Sequence, residues 1–144
     1  MKRFFLLTII LTVVVTGKVG AQEAASASKR ANQQYVLFES ERDKGTNVTA
    51  MYDYLMDSYE NFMKVVEAPD NSQYIGGAKN RLRALYPYLL NGAVYYSEQK
   101  QPSKALDFAA AYIDMPQLKL FRSELLPKDN LSLIHISEPT RHAQ

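Results

Sequence analysis

The strongest pattern in the chain is an apolar stripe that repeats with the period of an α-helix between residues 51 and 66. Its members recur at i, i+3, i+4 and i+7 spacing, which places them on one helical face: Met51, Tyr54, Leu55, Ser58, Tyr59, Phe62, Met63 and Val66. Asn47 precedes the stripe and Pro69 follows it, so we predict a helix between them, with Gly45 closing the helix before it. Such a face must be buried against another element, which favours a core stripe over a cofactor wall.

The residues before this stripe predict one more helix, around Tyr35, Phe38 and Glu39. We expect residues 22–34, which are small and polar with an Ala/Ser run, to form a frayed start to it. No segment of the chain alternates apolar and polar residues with period two, so we expect no sheet. The predicted fold class is therefore all-α.

Prolines divide the second half of the chain. A proline is tolerated at the first position of a helix but breaks hydrogen bonding inside one. We therefore predict a third helix over residues 73–86, a fourth that begins at Pro87 and runs to about residue 99, and a fifth over 102–114. Apolar residues between 118 and 126 predict a sixth.

The N-terminal residues have the three parts of a secretory signal peptide. Lys2 and Arg3 precede an apolar run over residues 4–15, and small residues follow at 19–21. We predict that residues 1–21 are a signal peptide and that the protein is periplasmic or secreted. An uncleaved membrane anchor is the alternative, but an apolar core of about a dozen residues is short against the ~20 that a spanning helix needs. After cleavage we expect no stable membrane insertion.

The C-terminal residues resemble a laboratory sequence. Residues 131–141, Leu-Ser-Leu-Ile-His-Ile-Ser-Glu-Pro-Thr-Arg, resemble the in-frame translation of a transposon-end adapter used to build sequencing libraries. We therefore treat residues 131–144 as a non-native tail and expect the native protein to continue beyond Asn130. The alternative is an ordinary short strand over 131–136, for which no other strand is predicted as a partner.

The remaining residues, 22–130, carry little catalytic chemistry. The chain has no cysteine, which excludes a disulfide framework, and its two histidines, His135 and His142, lie in the tail. Nucleophilic pairs that need His or Cys, and the usual ligands of zinc and copper, are therefore absent from this part. Gly76-Gly77 has no following Lys-Ser or Lys-Thr and is not a phosphate loop. We predict no catalytic residue, no cofactor and no metal site.

The charge of residues 22–130 is close to neutral. Lys2, Arg3, Lys18 and Arg141 fall outside this part, which leaves 13 of the 17 basic residues; Glu138 also falls outside, which leaves 14 of the 15 acidic ones. The net charge is thus about −1, and no basic stripe is present. A nucleic-acid partner is therefore not expected.

Residues 87–116 resemble one tetratricopeptide repeat, with a helix, a tight turn, a second helix and a closing proline. The family's packing positions match Leu89, Gly92, Ala93, Tyr96 and Ala105. The match departs from the family at Ala109 and Tyr112, where large and small residues are exchanged. The resemblance implies antiparallel helix pairs stacked as a fragment of an α-solenoid. Together with the signal peptide, it is similar to exported tetratricopeptide-repeat proteins of Bacteroidetes type.

The resemblance also implies a function. It places four residues of the first helix on the concave surface that holds a partner: Leu90, Val94, Ser97 and Glu98. The expected function is a non-catalytic protein–protein interaction scaffold, or the N-terminal binding module of a larger exported protein. Alternatively, some of these residues pack against a neighbouring repeat. A second functional class is an exported carbohydrate-binding protein, since the ten tyrosines could stack on sugars.

Overall fold

The computed structural model describes residues 2–127, with side chains from Gly20 onward. Within this range it contains four α-helices followed by two short 3₁₀ turns: α1 (Lys2–Lys44), α2 (Val48–Glu67), α3 (Ile75–Glu98), α4 (Pro102–Asp114), and the turns Met115–Gln117 and Lys119–Phe121. No strand occurs in residues 2–127, so the all-α prediction is confirmed. The helices form two compact units, one that ends at Arg81 and one that starts at Leu82.

Two predicted segments fall at the ends of the chain. The adapter-like tail, residues 131–144, lies outside the described residues. Of the predicted signal peptide, residues 1–21, the structure describes the backbone from Lys2 and the burial of Gly20 and Ala21 alone. In the part of the chain that the structure describes, no helix combines the length and the apolar character needed to cross a membrane.

The first unit is built on α1 and α2, which run antiparallel. Ser58 on α2 is fully buried, and its hydroxyl donates to the backbone carbonyl of Ala31 on α1 at 2.9 Å. Farther along, Gly20 lies so close to Pro69 that a Cβ on Gly20 would be 2.6 Å from the proline Cγ. The middle of α1 is therefore paired with the C-terminal end of α2, and the second half of α1 forms a helical hairpin with α2.

The small residues before Tyr35 are part of this packing, so the predicted frayed start at 22–34 is wrong. These residues belong to α1, and a regular stripe of its residues is buried: Gly20, Ala24, Ala27, Ala31, Tyr35 and Phe38. The spacing of three and four residues keeps the stripe on one face. Alanine has the highest helix propensity and its small side chain allows α2 to approach closely, so the Ala/Ser run stabilises the helix.

The connection between α1 and α2 follows the predicted punctuation. Gly45 has a φ of 65°, in the left-handed region that ends a helix, and its N–H donates to the carbonyl of Glu41 at 2.9 Å. Asn47 is the N-cap of α2, and its side-chain oxygen accepts from the N–H of Ala50 at 3.0 Å. A cap of this kind is worth about 1 kcal/mol.

The buried face of α2 is rotated slightly from the predicted stripe. Leu55, Ser58, Tyr59 and Phe62 are buried as expected. Met51, Tyr54, Met63 and Val66, however, are only half-buried, whereas three residues outside the predicted stripe are buried: Tyr52, Asn61 and Val65. Apolar residues cover a wider arc of α2 than α1 buries. The periodicity therefore predicted the position of the buried face with an error of about one residue.

The predicted break at Pro87 is wrong, because α3 continues through it from Ile75 to Glu98. A proline inside a helix leaves the carbonyl four residues earlier, that of Arg83, without its N–H partner. Burial on both sides compensates for this loss: Leu85, Tyr86 and Leu89 are each at most 4% exposed. Tertiary packing thus outweighs the local cost of about 3 kcal/mol.

The second unit pairs the later part of α3 with α4, again antiparallel. The rings of Tyr86 and Tyr112 stack at 4.8 Å between centroids at one end of the pair, and Tyr96 meets Phe108 at 5.5 Å nearer the other. The helices are joined by a turn in which Lys100 has a φ of 55°. The prediction that a helix covers 102–114 is confirmed, because α4 is Pro102–Asp114.

No α-helix forms between residues 118 and 126, so the predicted sixth helix is wrong. Instead, the two 3₁₀ turns lead into an irregular segment over residues 122–127. Phe121, at the end of the second turn, and Leu126, in the segment, are buried, whereas Leu125 is 97% exposed. Arg83 and Glu124 form an ion pair that holds this segment to α3. Single apolar anchors and one ion pair thus position the segment without a continuous helical face.

Candidate functional site

The second unit has a surface groove between α3 and α4. Its volume is about 570 Å³, and it opens to solvent. The lining residues come in similar number from the two helices: Ala93, Val94, Ser97, Glu98, Pro102, Ala105, Leu106 and Ala109. We call this surface the α3–α4 groove.

The groove has a bottom of small side chains and a more exposed rim. Ala93, Ala105 and Ala109 are half-buried, whereas Leu106 at the rim is 69% exposed. Small residues along the bottom leave room for side chains from outside to enter between the helices. An exposed leucine beside them adds apolar surface that water solvates poorly.

Three of the four residues predicted to hold a partner line this groove. They are Val94, Ser97 and Glu98. The fourth, Leu90, is half-buried and does not belong to the lining. The face that the resemblance identified thus opens between α3 and α4, where it includes residues from both helices.

The residues predicted for repeat packing divide into two groups. Leu89, Gly92 and Tyr96 are buried, and Gly92 lies directly against the Phe108 ring of α4. A Cβ at Gly92 would lie 2.3 Å from Cδ1 of Phe108, well inside the distance that carbon atoms tolerate. Ala93 and Ala105 are instead half-buried and line the groove.

No residue of α4 was assigned to the partner-binding surface in the sequence analysis. An apolar stripe with i, i+3, i+4 and i+7 spacing lies on a second face of α4, and its first two members line the groove: Leu106, Ala109, Ala110 and Ile113. Leu106 and Ile113 are 69% and 63% exposed. The sequence did contain evidence of this surface, because α4 has two apolar faces. The resemblance to a repeat explained only one of them.

Charged groups near the groove are few. Glu98 is the single charged residue in the lining. Lys104 is the only basic residue in α4, and its ammonium lies 4.8 Å from the centroid of the buried Tyr96 ring, in a cation–π contact. This contact directs the Lys104 side chain toward the packed side of α4 and away from the apolar stripe.

The first unit has a smaller and more polar hollow, of about 320 Å³, between α1 and α2. Its lining includes two cations, Arg30 and Lys64, and the acidic Glu23. Arg30 is already paired with Asp57 at 3.1 Å, and the Asn61 amide donates to the same aspartate at 2.9 Å. The polar groups of the hollow thus hold α1 and α2 together, and we assign no ligand to it.

Tyr35 is a buried titratable group whose pKa is shifted. Burial raises the pKa of its phenol, with Glu39 acting in the same direction, while a hydrogen bond from Arg81 acts to lower it. The Arg81 guanidinium also lies 4.1 Å from the centroid of the ring. These contacts join α1 to the first turns of α3 within the first unit.

The tyrosines offer little surface for stacking on sugars. All ten lie among the residues whose side chains are described; five are buried, five are half-buried and none is exposed. A carbohydrate platform needs an accessible ring face. This distribution disfavours the carbohydrate-binding alternative relative to the α3–α4 groove.

Among the described residues, no group of three or more His, Cys, Asp or Glu side chains could hold a metal ion. Comparison of the chain with protein-family models, curated proteins and solved structures found no match. The assignment of function therefore depends on the groove itself.

Proposed function

We propose that this chain is a non-catalytic protein–protein interaction module, in which the α3–α4 groove receives an amphipathic helix of a partner protein. The observation that carries the proposal is the apolar groove with the 69% exposed Leu106 at its rim. Amphipathic helices bind in such grooves by inserting side chains spaced three and four residues apart. In the wider protein, the groove belongs to helix pairs stacked in the manner of tetratricopeptide repeats.

The shape of the groove favours a helix as its occupant. Two antiparallel helices with small residues between them leave a channel into which the ridge of a third helix fits. α4 has 13 residues and is therefore about 20 Å long, which matches about four turns of a partner helix. Ala93, Ala105 and Ala109 allow the partner to approach closely, and Val94 and Leu106 supply the apolar contact.

The test uses the full chain and a fluorescently labelled helical peptide of about 14 residues, with leucine and alanine on one face and glutamine on the other. Anisotropy measures its affinity for the wild-type chain and for Leu106→Asp. Full burial of a leucine stabilises a complex by about 1.5–3 kcal/mol, so its loss should weaken binding at least about tenfold. The charge that replaces it adds a desolvation cost in the same direction.

Val36→Asp is the matched control. Val36 is 59% exposed, comparable to Leu106, and does not line the groove. It should leave peptide affinity unchanged, and circular dichroism should show unaltered helix content for both variants. The proposal is wrong if the wild-type chain does not bind the peptide, or if Leu106→Asp binds it as tightly as the wild type does.

We further propose that the protein is exported, to the periplasm or the medium, with cleavage after Ala21. The support is the order of basic, apolar and small residues at the N-terminus. Expression of the full chain in a Gram-negative host, followed by mass spectrometry of the periplasmic fraction, should recover a protein that begins at Gln22. Recovery of an intact N-terminus in the membrane fraction would support the anchor alternative.

A further inference from the structure

We propose that Asn91 is a deamidation site that the fold protects, and that it reacts when α3 opens in the second unit, after which α3 cannot pack again. Asn91 is followed by Gly92, and it is the one asparagine in the sequence with a glycine after it. Any other residue in that position has a Cβ beside the backbone nitrogen that must react, whereas glycine has none. The inference concerns the durability of the protein and does not depend on what occupies the α3–α4 groove.

Water is the only co-reactant that deamidation needs. The backbone nitrogen of Gly92 gives up its proton and forms a bond to Cγ of Asn91, while the bond from Cγ to the side-chain nitrogen breaks and ammonia leaves. The product is a five-membered succinimide ring. Water then opens this ring at either of its carbonyls, which leaves aspartate or isoaspartate at position 91. The net change is the loss of ammonia and the gain of water, without oxidation or reduction.

The helix keeps the reacting atoms out of the geometry that they need. Asn91 and Gly92 lie inside α3, where ψ is about −42°. Ring closure has to bring Cβ of Asn91 into line with the nitrogen of Gly92, which requires a very different ψ. The same nitrogen donates its hydrogen to the carbonyl four residues earlier, as in any α-helix, and Asn91 is only 8% exposed to water. The side-chain nitrogen has no hydrogen-bond partner, so no bond from it adds to the protection.

Packing explains why glycine follows this asparagine. A Cβ at position 92 would lie 2.3 Å from Cδ1 of Phe108. A larger residue would slow deamidation, but it would also displace the Phe108 ring, which is 2% exposed. The contact between α3 and α4 therefore keeps a labile dipeptide inside the helix pair.

The products of deamidation are incompatible with the packed helix. Aspartate is ionised at neutral pH, and a charge at a position that is 8% exposed has a large desolvation cost. Isoaspartate adds a carbon atom to the backbone and so interrupts the hydrogen bonds of the helix. Position 91 lies between Tyr86 and Tyr96, whose rings contact aromatic rings of α4. One opening followed by deamidation therefore removes the molecule from the folded population.

The first experiment follows deamidation of the full chain by peptide mapping and mass spectrometry at mildly alkaline pH. In guanidinium chloride, position 91 should react faster than every other asparagine, and Gly92→Ala should slow it, since packing has no effect in denaturant. In native buffer the wild type should react at least about 100-fold more slowly, which corresponds to an opening free energy of about 2.7 kcal/mol. Equal rates in the two solutions, or a faster reaction at another asparagine in denaturant, would overturn the inference.

The variant Phe108→Leu tests whether opening of the second unit controls the reaction. It removes ring atoms that contact Gly92 and leaves the reacting dipeptide unchanged, so deamidation in native buffer should become several-fold faster as the open form becomes more populated. Leu106→Ala is the matched control, because Leu106 lies in the same helix and is 69% exposed. It should leave the rate unchanged. If Phe108→Leu lowers stability in urea titrations without changing the rate, opening does not control the reaction and the inference is wrong.

Refolding measures the consequence of the modification. Wild type and Asn91→Leu are held in denaturant until position 91 of the wild type has reacted, and each is then compared with its own sample refolded at once. By circular dichroism, the held wild type should recover less helix than its reference, whereas Asn91→Leu, which has no amide at this position, should recover fully. Equal recovery of both proteins would show that α3 tolerates the products, and the inference would fail.

Discussion

α3 and α4 approach closely at Gly92, so we expect an alanine at this position to destabilise the protein. At Gly77, in the same helix but in open space, we expect the same substitution to be neutral or stabilising. Replacement of Gly92 with alanine adds one methyl group to a buried position. That carbon would lie 2.3 Å from Cδ1 and 2.4 Å from Cε1 of Phe108. Carbon atoms in good contact are about 3.5–4.0 Å apart, so the ring or one of the helices has to move by more than 1 Å.

The ring has little room for this movement. Phe108 is 2% exposed and packs against Tyr96, which is fully buried. Overpacking of this kind costs about 1–3 kcal/mol. Alanine recovers up to about 1 kcal/mol through its higher helix propensity. We therefore expect Gly92→Ala to lower the free energy of unfolding by about 1–2 kcal/mol.

Urea unfolding followed by far-UV circular dichroism measures this change. With a slope of about 1–3 kcal/mol per molar urea, the midpoint should fall by about 0.3–2 M. Gly77→Ala is the control in the same helix, because nothing lies within 4 Å of a Cβ at that position. This control should leave the urea midpoint unchanged or raise it, because the free energy of unfolding should increase by at most about 1 kcal/mol.

A double variant identifies the clash. Phe108→Leu removes the ring atoms that the new methyl group meets, so Gly92→Ala should cost much less in that background than in the wild type. The two substitutions should then show a coupling energy of at least about 1 kcal/mol. If Gly92→Ala proves as stable as the wild type, or as costly in the Phe108→Leu background, the close approach described here would be refuted.

Three further predictions concern single side chains. The buried Asn91 amide nitrogen has no hydrogen-bond partner, so Asn91→Leu should raise the free energy of unfolding by about 1 kcal/mol in urea titrations. The control Asn61→Leu removes two hydrogen bonds to Asp57 and should lower the free energy of unfolding. Equal effects of the two substitutions would contradict the statement that the Asn91 amide is unpaired. Lys100 has a φ of 55°, so Lys100→Gly should raise the thermal midpoint through a gain of about 0.5 kcal/mol, whereas a fall would show that its side chain matters more than its backbone. Burial raises the pKa of Tyr35 above its ordinary value, so this residue's contribution to stability is present below about pH 10 and falls as the pH rises further. Relative to wild type, Tyr35→Phe should therefore gain stability above pH 10. If the difference in free energy of unfolding between the two proteins does not change with pH, the prediction is refuted.

Much of the candidate site could be predicted, but only its α3 side. The resemblance to a repeat assigned Val94, Ser97 and Glu98 to one partner-binding surface, and these three residues line the groove. Leu106 was missed, and Ala109 was interpreted only as a repeat position, because α4 has two apolar faces and one of them was already explained by packing on α3. A periodic pattern shows that a face is apolar, but it does not tell whether the chain itself covers that face.

Local chemistry by itself determined where most helices begin and end. Gly45 adopts the left-handed conformation that closes α1, Asn47 caps α2, and Pro102 begins α4. These features depend on the backbone preferences and hydrogen bonds of residues within one turn of each other, which are readable from sequence. The all-α class follows from the same short-range information.

Tertiary structure alone decided how the helices are used. Pro87 lies inside α3 because burial of its neighbours outweighs a lost hydrogen bond, and the small residues at 24–31 are a packed face because α2 lies against them. Leu106 is exposed because no described part of the chain covers it. Each of these outcomes depends on contacts between residues distant in sequence, and the energies of those contacts are as large as the local preferences that they override.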